Sequence, residues 1–180
     1  MHAWKKKKSL LKGVSFSCEL EVHERQILGN LAATVAEALI ERAQSAPKDE
    51  LAELTGMPSG HTVAPEDPGL ARLLPDFERE GDEEYEGDNG LLRALNETEI
   101  TKEKLAGLSA ISHAIGPGGS EHIKLSEPEA LLWLRALNDI RLFFAASEIA
   151  QPDESRDRDQ IVEWLAYNQD SLLQAVMGEA

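Results

Sequence analysis

Cysteine is almost missing: Cys18 is the single one among 180 residues. A lone thiol excludes an internal disulfide and any zinc site built on several cysteines, and it fits a reducing cytoplasm. Long apolar runs are missing as well, none approaching the roughly 20 residues that span a bilayer. The opening MHAWKKKKSLLKG is basic, but it has no apolar segment of sufficient length and no small-residue cleavage site, so it does not read as a secretory signal. Basic residues are outnumbered, 18 Lys and Arg against 33 Asp and Glu, which leaves a net charge of −15. A field of that sign repels phosphate backbones, so nucleic acid ranks low among expected partners. These absences point to a cytoplasmic protein with no membrane segment.

Motifs that carry chemistry are also lacking. The histidines are His2, His23, His61, His113 and His122, and no two stand at the i, i+4 spacing of a metalloprotease helix. GPGGSEH is rich in glycine but has no Lys-Ser/Thr pair and no strand-loop-helix setting, so it is a connection rather than a phosphate loop. There is no Gly-x-Ser-x-Gly elbow, and Cys18 falls in a strand with no placed base. The acidic run DFEREGDEEYEGD, residues 76 to 88, lacks the glycine-centred spacing of a calcium loop and reads as a solvated loop. No catalytic residue, cofactor or metal ligand is expected.

What is present is a well-patterned globular chain, 42% hydrophobic. VSFSCEL, residues 14 to 20, alternates apolar and polar groups as a half-buried strand does. WKKKKSLL and Lys12-Gly13 before it complete a hairpin whose lysines, Lys5 to Lys8, mark an exposed edge. A helical period takes over from about 22 to 44 and ends at Pro47. A loop follows over 46–66, with one helical turn in DELAEL. DPGLARLLPD is a short helix capped by Asp67 and stopped at Pro75, and 76–89 is a second loop. GLLRAL starts another short helix, and Asn96 with Glu99 caps a further one running to Ile115. EHIKL offers a third strand near 121–125, and SEPE is a capping box opening a helix that runs to about Ile149. The last helix covers about 155 to 177. The expected fold is mainly α, a single helical domain over 1–180 in the form of a bundle, with a small N-terminal antiparallel hairpin.

One segment stands apart. EALLWLRALNDIRLFFAAS, residues 129 to 147, is apolar nearly all round, as a central helix is, yet carries Asn138, Asp139 and Arg141. Buried polar groups are almost always hydrogen-bonded, and an unpaired buried charge costs several kcal/mol. These side chains therefore either reach the rim or need partners on neighbouring helices, where Arg72, Arg93 and Lys104 are candidate neighbours for Asp139, Glu99 or Asn138. The leading reading is a polar network of Arg72, Lys104, Asn138, Asp139 and Arg141 that fixes helix packing. Its rival is a recessed basic pocket, formed by Arg72, Lys104 and Arg141, for an anionic ligand.

DPGLARLLPD, WLRALNDIRL and EWLAYNQDSLLQAV, in this order, resemble the actinobacterial domain-of-unknown-function family numbered two thousand and seventeen. The similarity runs from Trp4 to the final helix, with Asn138-Asp139-x-Arg141 its most specific word. Two departures are visible: the segment after Asp76 is more acidic, and Phe143-Phe144 replace smaller residues. The resemblance implies a small, soluble, helical bacterial protein with no assigned activity or site residues. Family members are often encoded beside the adaptor of an ATP-dependent protease, which implies a part in protein turnover, and some are labelled transcriptional regulators. The expectation is a non-enzymatic interaction or regulatory protein with a protein partner and self-association. The alternatives are a DNA-binding regulator touching phosphate through Lys5 to Lys8, and an anion-binding protein or enzyme using the basic pocket.

Overall fold

The computed structural model describes residues 2–9, 13–47, 60–78, 81, 87–116, 120–147 and 152–178. Strands β1 (Lys5–Ser9), β2 (Gly13–Glu19) and β3 (His122–Ser126) form one antiparallel sheet in the order β1-β2-β3. The helices are α1 (Val22–Gln44), α2 (Pro68–Leu73), α3 (Asn89–Ile115), α4 (Glu127–Ala146) and α5 (Pro152–Met177). The fold is mainly α, and the third strand extends the hairpin.

Period-two alternation places Phe16 and Cys18 of β2 and Ile123 and Leu125 of β3 on the inner face of the sheet, all buried. β1 lies at the sheet edge, where its lysines discourage pairing with other chains. Trp4, just before β1, is buried edge-on against Trp133 of α4, ring centroids 5.6 Å apart. Its backbone N–H donates to Ser171 Oγ of α5 at 2.9 Å, tying the two ends of the chain together.

Helix starts follow local chemistry. Asp67 accepts from the Leu70 N–H at 2.7 Å ahead of Pro68, whose missing N–H costs nothing in a first turn. Glu129 accepts from the Ser126 backbone N–H at 2.7 Å and from its hydroxyl at 2.6 Å, at the expected start of α4. Those bonds hold the Glu129 carboxyl below the usual carboxylate range. Helix α4 packs against α5, α3, α2 and the sheet, which makes it the central rod. Gly107 of α3 allows close approach to α4, since a Cβ there would stand 3.2 Å from Ala136 Cβ.

One boundary differs from expectation. Residues 89–115 form one helix, not two divided at Asn96. Asn96 lies mid-helix and its amide bonds back to the Leu92 carbonyl at 2.8 Å, an alternative to capping open to this residue type. The expected turn in DELAEL lies outside the described residues, as does the chain around Ile149; α4 is described to Ala146, and α5 starts at Pro152 rather than 155.

Candidate functional site

Central helix α4 buries Trp133, Ala136, Leu137, Ile140 and Phe143, with Asp139 among them. The Asp139 carboxylate meets Lys104 Nζ of α3 at 2.8 Å, with the two side chains 10% and 18% exposed respectively. Arg141 donates to Asn138 Oδ1 at 3.0 Å, and Gln169 of α5 reaches the same oxygen at 3.4 Å. The polar word in α4 thus touches α3 through Asp139 and α5 through Asn138. Arg141 Nε is buried without a partner. Arg72 is exposed at the last turn of α2 and takes no part in these contacts. A cleft of about 180 Å³ beside the Lys104–Asp139 pair is lined by Ile100, Glu103, Gly107, Arg135 and Asn138 among others, and by neither Arg72 nor Arg141.

A larger polar network sits elsewhere. Arg93 of α3, fully buried, donates to Glu97 at 2.8 Å, to Asp76 at 2.8 Å and to the Leu74 carbonyl at 3.1 Å. Glu97 also accepts from Arg42 of α1 at 2.9 and 3.3 Å, while Arg42 reaches the Val63 carbonyl at 2.6 Å. Two guanidiniums and two carboxylates therefore join α1, α3, the stretch around Val63 and the end of α2. Burial pushes the Glu97 carboxyl up, but hydrogen bonds and charge from Arg42 and Arg93 outweigh this and hold it below the usual range. Burial likewise pushes the Arg93 guanidinium down, and Glu97 and Asp76 more than reverse it. Sequence reasoning named Arg93 but gave it the wrong partners. The signal was the Arg93–Glu97 spacing of four, hidden by dividing the helix between them.

His61 and Cys18 are both held within the fold. His61 Nε2 lies 2.7 Å from the Arg42 carbonyl and 3.3 Å from Ser45 Oγ. A carbonyl only accepts, so Nε2 carries the hydrogen and cannot act as base toward Ser45, whose hydroxyl itself donates to the Arg42 carbonyl at 2.9 Å. The pair completes the C-terminus of α1. Burial, then the charge of Glu24, pushes the Cys18 thiol up to about 12. Among the described residues no group of three or more His, Cys, Asp or Glu is placed to hold a metal ion, and no helix is long and apolar enough to cross a membrane.

The face of the sheet turned away from the helices carries Lys5, Lys7, Ser15, Ser17 and Lys124, with Glu19 at one end between His2, at 3.6 Å, and His122, at 3.8 Å.

Curated relatives include the protein named "Oxidative stress regulator AosR" of Mycobacterium tuberculosis, 33% identical over 184 residues, covering 92% of this chain and 84% of the relative. The Mycobacterium bovis protein of the same name matches with the same identity and coverage. No solved structure matches. The sequence profile described as "Domain of unknown function (DUF2017)" matches residues 1–176, and the chain belongs to that family.

Proposed function

We propose that this protein is a non-enzymatic regulator that works in the cytoplasm by binding another protein. One observation carries the reading. The buried charged side chains Arg93, Glu97 and Asp139 are each engaged in ties between elements, which leaves none of them free to act on a substrate. The names of the curated relatives support regulation, with oxidative stress as the setting. The family resemblance adds protein turnover as the process in which the partner acts.

The test is a deletion strain of the host, with and without the wild-type gene restored. Transcripts and protein half-lives are followed through a peroxide pulse, and the protein is crosslinked in the same cells. The reading expects a changed peroxide response in the deletion and one partner enriched reproducibly in the crosslinked sample. An unchanged response, or a response with no crosslinked protein, removes it.

A further inference from the structure

We propose that the uncovered face of the sheet docks an extended, carboxylate-rich segment of a partner protein; this rests on the protein-binding reading above. The pleat dictates what that face presents. With Phe16, Cys18, Ile123 and Leu125 directed into the core, the alternate positions point outward. Register then aligns them across three strands: Lys5 lies opposite Ser17 and Ser17 opposite Lys124, while Lys7 lies opposite Ser15 and Ser15 opposite Ser126. Neighbouring strands are roughly 4.8 Å apart, so two ammonium groups flank a central row of serine hydroxyls. The surface is concave, a trough of about 400 Å³ lined by Lys5, Lys7, Ser17, Glu19 and Lys124 among others.

These three lysines converge on one face. Among the described residues, Lys5, Lys7 and Lys124 are exposed and have no ion pair or side-chain hydrogen bond. Lys6, on the opposite pleat, donates to the Val176 carbonyl at 3.1 Å, Lys102 meets Glu99 at 2.6 Å and Lys104 meets Asp139 at 2.8 Å. Lys8, Arg72, Arg135 and Arg156 are also exposed without an ion pair among the described residues, but none of them lies on this face. With 33 acids to choose from, three unpaired lysines sharing one face form a local field opposite in sign to the whole.

The spacing favours a peptide over a nucleic acid. An extended segment repeats the same face every roughly 6.8 Å, which is the repeat separating Lys5 from Lys7. Carboxylates two residues apart therefore meet both ammoniums in step, and Ser15 and Ser17 supply further donors. Duplex DNA carries one charge per roughly 1.7 Å of axis, a poor match to three cations bounded by Glu19 on a molecule of net charge −15. Single strands need aromatic platforms, and Trp4 and Phe16 are both buried inward. A short acidic segment avoids the wider repulsion, because salt screens charges beyond about 8 Å.

The probe is a labelled peptide alternating glutamate and threonine, read by fluorescence anisotropy on the full chain, with a random-sequence DNA duplex as comparator. The peptide is expected to bind. K5E/K7E/K124E should weaken it at least roughly tenfold, while K8E, which reverses the same charge on the opposite pleat of β1, changes it by less than about twofold. Circular dichroism checks that both variants fold; K5E and K124E singly carry the test if the triple variant does not. No binding, equal loss in the two variants, or tighter binding of the duplex through these lysines overturns the inference. A crosslinked partner retained by K5E/K7E/K124E removes this surface and leaves the regulatory reading standing, whereas the absence of any partner removes that reading instead.

Discussion

The Arg93 guanidinium lies 2.8 Å from the Glu97 carboxylate one helical turn on, with side chains 1% and 9% exposed. Both ends are held again from outside α3, by Asp76 and the Leu74 carbonyl on one side and by Arg42 on the other. Removing one member of such a set strands its partners in a low-dielectric interior. Arg93→Met should therefore cost about 3–5 kcal/mol of unfolding free energy. Lys102→Met, which breaks a pair with side chains 65% and 71% exposed, should cost no more than about 0.5 kcal/mol. Urea denaturation measures both, and similar losses would contradict a buried network.

The same pair makes stability depend on pH, with a definite sign. Glu97 is held below its ordinary range in the folded protein. A depressed carboxyl contributes its full stabilisation above the unfolded value, roughly pH 4.3, and loses it as pH falls through the lower folded value. Unfolding free energy should thus be flat from neutral pH toward the ordinary carboxylate range and fall steeply below it. Glu97→Gln should start lower and fall less steeply. Parallel curves for the two proteins over that acid range would assign the dependence to other groups.

Much of this fold was legible because local and tertiary signals agree in it. The alternation of Val14, Phe16, Cys18 and Leu20, the Asp67-Pro68 start and the Ser126–Glu129 box each specify an element by its own chemistry, and the structure has all three. Asn96 misled because its side chain serves equally as a cap or as a mid-helix acceptor's partner, and only the Arg93–Glu97–Thr101 buried stripe across it decides. The Arg42–Glu97 contact was out of reach for a different reason. It joins residues 55 apart in sequence, and periodicity tells which face is buried but not which helix lies opposite. The sheet's basic trough needed the third strand's register to bring Lys124 level with Lys5.

Gly69 and Phe143 are fitted to one another. A Cβ at Gly69 would stand 2.8 Å from two ring carbons of Phe143, nearer than side chains pack. Gly69→Ala should overpack the α2–α4 contact and cost about 1–3 kcal/mol, despite alanine's better helix propensity. Phe143→Leu in the same chain should recover part of that loss, giving a coupling of about 0.5–3 kcal/mol in a double-mutant cycle. Additive losses would show that the ring yields freely. The Phe143 ring is thus accommodated by a neighbour with no side chain.

Cys18 bears directly on whether this protein can itself react with oxidants. The thiolate is the reactive species, and a thiol pushed up to about 12 stays protonated at neutral pH. Its side chain is also buried, on the inner face of β2 opposite Ile123. With a single cysteine in the sequence, an intrachain disulfide is not available. Native protein should therefore give no fast reaction with a thiol-specific disulfide reagent at neutral pH, and one equivalent after unfolding in guanidinium. Cys18→Ala should remain folded, losing about 1 kcal/mol, and should keep any peroxide response seen with the wild-type gene. In that outcome Cys18 is not required for the response. Fast labelling of the native thiol, or a response abolished by Cys18→Ala in a protein that still folds, would place the sensor at β2 instead.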